Sequence, residues 1–263
     1  MVEIKKVTKI FGEGTVNENK AIGNTDLKVE SGDFITIIGS NGAGKTTLFN
    51  LISGNIFPSN GKVLINGRDV TKVPEYKRAK NVGRIFQNTN LGTAGQMTIE
   101  DNMIIALTKG FKGLKRSLNN KKREFFKEHL KNLDMGLEDR LKDNVGLLSG
   151  GQRQAMTLLM MVLSKPDLIL LDEHTAALDP KNAQIILDLT VKYIDEYNLT
   201  TMMITHNMKH AIKYGNRLLM MDKGEIILDV GGEEKKNLTV DILIEKFHNI
   251  RNKDLENDEI LLS

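Results

Sequence analysis

The stretch DFITIIGSNGAGKTTLFNLIS, residues 33–53, decides the fold. It opens with a short apolar run closed by glycine, which reads as a buried strand over 33–39. From Lys45 to Ser53 the apolar residues fall at helical spacing, so a helix follows. Between strand and helix, Gly39, Ser40, Asn41, Gly42, Ala43, Gly44, Lys45 and Thr46 match G-x-x-x-x-G-K-[ST] in full. The glycines let the backbone fold tightly with several N–H groups turned inward, and the helix start adds its partial positive charge. A loop of this kind cradles phosphates. Lys45 then reaches the β- and γ-phosphates of a nucleotide, the Thr46 hydroxyl is suited to Mg²⁺, and Thr47 belongs with the nucleotide-binding set.

Outward from this stretch, short apolar runs alternate with helical patterns, which predicts an α/β fold with a largely parallel sheet. GKVLING (61–67) reads as a strand closed by Asn-Gly, a hairpin signal, and NVGRIFQ (81–87) as another strand. After it the texture turns helical. Thr98 precedes an acidic first turn, residues 119–133 carry a charged helical pattern, and Ser149 caps a helix that runs to Ser164. Strand texture returns at DLILLD (167–172) and TTMMITH (200–206), and RLLMMDKGEIILDV (217–230) reads as two strands around Asp-Lys-Gly. The expected organisation is therefore a single domain over 1–263. It has a nucleotide-binding core at 1–87 and 165–230, a helical subdomain at 88–164, and a short helix with a polar tail at 231–263.

DLILLDE (167–173) supplies a second element of the same chemistry. Four apolar residues form a buried strand, and Asp172 emerges at its C-terminal end, where ligands bind in open α/β sheets. Asp172 is suited to holding Mg²⁺ through its water shell, and Glu173 to polarising a water for attack on the γ-phosphate. LLSGGQRQ (147–154) adds another serine- and glycine-led helix start, a further anion site.

With LSGGQ at Leu148–Gln152 added to the phosphate loop and the acidic pair, the chain resembles the nucleotide-binding subunit of an ATP-binding-cassette (ABC) system. The resemblance covers residues 2–230. It implies a P-loop NTPase (RecA-like) core with a mainly parallel sheet, an N-terminal antiparallel β-subdomain and an inserted α-helical subdomain. It also implies that two copies pair head to tail, so that Ser149, Gly150, Gly151 and Gln152 of one copy cap the ATP held by the phosphate loop of the other. Further landmarks fall in the family's order. Gln87 matches the glutamine that contacts Mg²⁺ and the attacking water, and His206 the histidine that bonds the γ-phosphate. Ala177-Leu178-Asp179 resembles the loop that crosses the dimer interface. Phe11, 28 residues before Gly39, matches the aromatic that stacks on adenine. His174 stands where many relatives have a small or polar residue, and it reads as packing beside the loop rather than as catalytic.

Composition narrows the class further. The 263 residues carry a net charge of +3, too mild to imply nucleic acid, and there is no cysteine for disulfides or thiol chemistry. No leader with the apolar stretch of a signal peptide is expected at the start, and no apolar run approaches the roughly 20 residues that span a bilayer. Between residues 109 and 131, nine Lys/Arg stand against two Glu; this reads as a solvated helical face, with a patch for anionic lipid or nucleic acid as the alternative. The expected partner is a separate membrane permease, with an extracytoplasmic substrate-binding protein beyond it and the chain on the cytoplasmic face. Separate subunits of this kind are commoner in importers, and no large regulatory domain is expected after the core. PEYKRAKNVGRIFQNTNLGTA, VGLLSGGQRQAMTLLM and DEHTAALDPKNA are similar to cassettes that serve uptake of amino acids or other small organic solutes, and an aromatic amino acid is the expected solute. The alternatives are a soluble cassette ATPase of iron–sulfur assembly type, or the ATPase of an exporter.

Overall fold

The computed structural model describes residues 1–108 and 118–249. Residues 109–117 of the basic stretch and the tail at 250–263 lie outside the described residues. In chain order the elements are β1 (Val2–Phe11), β2 (Asn19–Val29), β3 (Phe34–Gly39), α1 (Lys45–Ser53), β4 (Asn60–Ile65), β5 (Arg68–Asp69), α2 (Glu75–Arg78), β6 (Val82–Ile85), α3 (Ile99–Ala106) and α4 (Asn120–Lys131). After a 3₁₀ turn at Val145–Leu147 come α5 (Gly150–Ser164), β7 (Leu168–Asp172), α6 (Pro180–Tyr197), β8 (Thr201–Ile204), α7 (Met208–Lys213), β9 (Arg217–Asp222), β10 (Glu225–Gly231) and α8 (Gly232–Lys236). A further helical stretch occupies 240–249.

The chain packs as two compact units. The first comprises Met1–Leu51, Phe57–Thr71 and Met202–Ser263. It contains the N-terminal sheet in the order β2-β1-β4-β5, whose paired strands are antiparallel. The Asn-Gly signal is a tight turn: Asn66 and Gly67 both have positive φ, and β4 pairs with β5 across them. This unit also holds β10-β9-β3-β8 in that order. β3 runs parallel to β9, with Ile35 opposite Arg217 and Gly39 opposite Met221. Residues 34–38 are all buried, as a central parallel strand covered on both faces requires. Ile38, Ala211, Leu218, Met220, Val230 and Leu243 form one apolar cluster of this unit.

The second unit comprises Ile52–Ile56 and Lys72–Thr201. β6 and β7 pair in parallel from Val82 opposite Leu168 to Ile85 opposite Leu171. β6 is shorter than the sequence suggests because its partner strand ends at Asp172; Gln87 therefore lies two residues into the following loop. The helices begin where their caps predict. The Thr98 hydroxyl accepts from the Asp101 amide, and the Asn119 side chain accepts from that of Lys122. Glu100 on α3 forms a two-point ion pair with Arg123 on α4, at 2.7 and 3.2 Å. The stripe of α4 that faces inward is narrow, with Phe126 and Leu130 fully buried while the adjacent Phe125 is exposed.

That asymmetry is testable. Phe126→Ala should lower the free energy of unfolding by about 3–5 kcal/mol, the cost of a large cavity in a closed core. Phe125→Ala should cost less than about 1 kcal/mol. Urea titration of both variants measures the difference, and equal losses would contradict the packing described for α4.

Candidate functional site

The phosphate-loop residues are locked by backbone geometry. Gly39 has φ +154°, and a β-carbon there would lie 2.2 Å from the Met221 carbonyl oxygen on the neighbouring strand. Gly44 has φ +96°, and its β-carbon would meet the Ala21 carbonyl at 2.7 Å. Both positions exclude any side chain. The loop closes on itself through the Ala43 amide bonded to the Ser40 carbonyl, 3.2 Å, and the Gly224 amide bonds the Ala43 carbonyl at 3.1 Å. Lys45 is buried, and its ammonium donates to the Gly39 and Ser40 carbonyls at 2.8 Å each. The charge is thereby held inside the loop rather than on a free stem. Ser40 Oγ donates to Asp222 Oδ1 at 3.0 Å, while Asn41, Gly42 and Thr46 are exposed and Thr47 is half-buried. The same unit carries Phe11, at the end of β1 and 41% exposed, with Lys9 Nζ 5.0 Å from its ring centre. It also carries His206, exposed and two residues past the end of β8.

The other candidate residues belong to the second unit. Ser149 is the N-cap of α5 in a full capping box. Its hydroxyl accepts from the Gln152 amide at 3.3 Å, and the Gln152 side chain accepts from the Ser149 amide at 3.2 Å. Ser149 and Gly150 are exposed; Gly151 is buried, and a β-carbon there would press on Asn182 at 3.0 Å. Arg153 ties this helix start to the loop after Gln87 through the Asn90 side chain, and to the preceding 3₁₀ turn through the Gly146 carbonyl. Gln87 itself is exposed.

Asp172 ends β7 as expected, and Glu173 follows with φ +48°. Asp172 is paired: Arg84 Nη2 lies 2.7 Å from its Oδ2, with the two side chains 7% and 11% exposed, and the guanidinium also lies 4.7 Å from the centre of the Phe86 ring. Asp179 caps α6 through the Asn182 amide, and the Asn182 side-chain bond holds its carboxyl below the usual range. His174 packs in the interior, as expected; burial pushes its imidazole down to about 4, so the ring is neutral.

Sequence reading passed over three side chains that touch these residues. Arg84 is a charge in an otherwise apolar strand, Gln154 is a polar residue on the apolar face of α5, and Asp222 is the last residue of β9, just before a hairpin turn. The first two carry a signal in hindsight, since a polar group in an apolar pattern needs a partner. Nothing local marks Asp222 as the partner of Ser40.

A family model described as ABC transporter matches residues 22–176. The chain is 45% identical over 249 residues to the tyrosine transport ATP-binding protein of Clostridioides difficile (strain R20291), covering 94% of this chain and 98% of that one. It is 37% identical to the methionine import ATP-binding protein MetN 2 of Enterococcus faecalis (strain ATCC 700802 / V583), over 86% of this chain and 64% of the relative, so it spans less than two thirds of that protein. Among solved structures, the ADP conformation of an ATP-binding cassette of an ABC transporter superposes with a TM-score of 0.74 at 27% identity, covering 94% of this chain and 98% of the other. A dimeric cassette in a post-hydrolysis state, bound to ADP and Pi, gives a TM-score of 0.71 at 28% identity, covering 88% and 98%.

The Arg84–Asp172 pair makes a stability prediction. Arg84→Ala leaves a buried carboxylate without its counter-charge and should cost about 3 kcal/mol in denaturant unfolding. Arg84→Ala combined with Asp172→Ala should cost less than Arg84→Ala alone; a double variant that sums the two single losses would mean that the contact carries no energy.

Proposed function

We propose that this chain, which belongs to the ABC transporter family and is an ATPase of importer type, works as a head-to-tail pair that powers a separate permease for an aromatic amino acid. The observation that carries the proposal is the presence in one chain of two exposed phosphate-suited helix starts, the loop before α1 and the capped start of α5. A single nucleotide bound to one copy uses the first; the second is left for the nucleotide of the other copy. A related cassette is described as a dimer bound to ADP and Pi, which supports pairing. The relative described as a tyrosine transport ATP-binding protein, nearly all of which this chain covers, supports the choice of solute.

In this reading the amides of Gly39–Thr47 wrap the phosphates of ATP, and the Lys45 ammonium bonds the β- and γ-phosphate oxygens in exchange for loop carbonyls. Phe11 stacks on adenine. The Thr46 hydroxyl, the Asp172 carboxylate and the Gln87 amide oxygen are hard oxygen donors, a set that fits Mg²⁺ accompanied by phosphate oxygens and water. Held by these residues, Mg²⁺ would supply positive charge to offset that of the β- and γ-phosphates. Arg84 on Oδ2 fixes the orientation in which Asp172 serves. Glu173 takes the proton of the attacking water, and His206 and Gln87 orient the γ-phosphate and that water. Ser149, Gly150, Gly151 and Gln152 close over the same γ-phosphate from the partner copy.

Among the described residues no helix is long and apolar enough to cross a membrane. In this reading the chain attaches to the cytoplasmic face through the permease, which receives solute from an extracytoplasmic binding protein. Residues 88–103, which follow Gln87, are the coupling segment; Leu91 and Met97 are exposed apolar side chains within it and suit a protein contact.

Glu173→Gln tests the catalytic and transport halves together. Turnover should fall roughly 10²–10⁴-fold, because the amide cannot accept the proton, while ATP affinity persists. The variant should elute as a dimer with ATP and as a monomer with ADP. Cells lacking the subunit should lose uptake of labelled tyrosine and regain it with the parent chain but not with Glu173→Gln. Full uptake by the variant would refute the role of Glu173, and unchanged tyrosine uptake in the deletion would refute the solute.

A further inference from the structure

The turn that carries Glu173 is gripped by buried polar groups for which the roles above have no use. Its φ of +48° lies in the left-handed region, which a residue with a β-carbon enters at a cost. Elsewhere among the described residues that conformation closes hairpins, at Asn66 and Lys223, ends helices, at Lys165 and Asn198, follows α4, at Asp134, or falls inside β1 and β2, at Lys6 and Asn24. At Glu173 it turns the chain sharply out of β7, and the Ala176 amide closes the turn on the Glu173 carbonyl at 2.9 Å.

The next residue is fixed twice. The His174 carbonyl accepts a 2.6 Å hydrogen bond from Gln154 Nε2 on α5. The His174 ring places Nε2 3.0 Å from Thr190 Oγ1 on α6. That hydroxyl has one proton, and it donates it to the Ile186 carbonyl at 2.7 Å. His174 Nε2 is therefore the donor, and the ring anchors the turn to α6 in one tautomer. Gln154 is 1% exposed, and its Oε1 is buried without a hydrogen-bond partner. An apolar side chain would avoid burying that oxygen, so what the glutamine contributes is its donor to His174.

We infer that Gln154 and His174 are positioning residues that hold Glu173 in its left-handed backbone and tie the helix led by Ser149 to the water-activating group of the same chain. The inference rests on the reading of Glu173 as general base. Its consequence reaches across the pair. In a head-to-tail dimer α5 meets the nucleotide of one site, while Glu173 serves the nucleotide of the other. The Gln154–His174 bond is then a direct mechanical link between the two sites, five residues along the helix from Ser149. Closure of one site is felt at the attacking group of its neighbour.

The test uses the full chain with Gln154→Leu, Thr190→Val and Thr190→Ser, each alone and combined with Glu173→Gln. It reads kcat, KM for ATP and the affinity of a fluorescent ATP analogue. Gln154→Leu and Thr190→Val should each lower kcat about tenfold while KM and nucleotide affinity stay within about twofold of the parent. Thr190→Ser, which keeps the hydroxyl, should remain near the parent. In the Glu173→Gln background neither substitution should reduce residual turnover further, because the group through which they act has already been removed. A merely structural role would instead cost the same factor in both backgrounds, and that result overturns the inference. So does parental kcat in Gln154→Leu and Thr190→Val, or a loss confined to nucleotide affinity. Parental turnover in Glu173→Gln alone would overturn the general-base reading, and the inference with it.

Discussion

The Met221 carbonyl oxygen lies 2.2 Å from the place where a β-carbon on Gly39 would sit, and the phosphate loop depends on that contact being made with glycine. The parallel register of β3 with β9 sets it, because Gly39 stands opposite Met221. With the strand ending there, the backbone reverses through Gly42 and Gly44, and α1 starts at Lys45 with its amides facing the loop. Lys45 is then folded in, its charge satisfied by the carbonyls of Gly39 and Ser40. In the proposed role, an ammonium held by loop carbonyls would exchange them for phosphate oxygens with little reorganisation, which is what preorganised electrostatics requires.

The acidic side of the chemistry shows the same logic in another unit. Asp172 sits at the end of a fully buried strand, where a lone carboxylate would be costly. Arg84, on the strand paired with β7, supplies the counter-charge. The following residue carries the backbone strain, and beside it the His174 carbonyl and ring are buried and hydrogen-bonded. Charge and strain are each supported by neighbouring elements and not by the loop alone.

How much of this was legible in the sequence depended on the range of the interaction. Helices α1 and α5 run over the residues that their glycine and serine starts predict, because capping is decided within four residues. The two hairpin turns were equally readable, each from a residue followed by glycine at positive φ. The ends of β6 and β8 were not, because a strand stops where its pairing stops; Gln87 and His206 thus fall in loops and not at strand ends. The order of strands in each unit, the pairing of Arg84 with Asp172 across 88 residues and the bond from Gln154 to His174 are tertiary facts with no local code. The phosphate loop, the acidic pair and the signature were legible because each is a continuous stretch.

The central claim is that the loop of one copy and the signature of another form one site. Mixing two inactive variants tests it most directly. Lys45→Ala removes the loop half of a site, and Ser149→Arg the signature half. In a mixed dimer both lesions fall in the same site, and the other site is rebuilt from the intact loop of the Ser149→Arg chain and the intact signature of the Lys45→Ala chain. Each variant alone should hydrolyse no ATP, and an equimolar mixture should recover about a quarter of the parental rate, since half the dimers are mixed and each has one intact site of two. No recovery in the mixture, with both proteins folded and Ser149→Arg still binding ATP, would contradict the shared site.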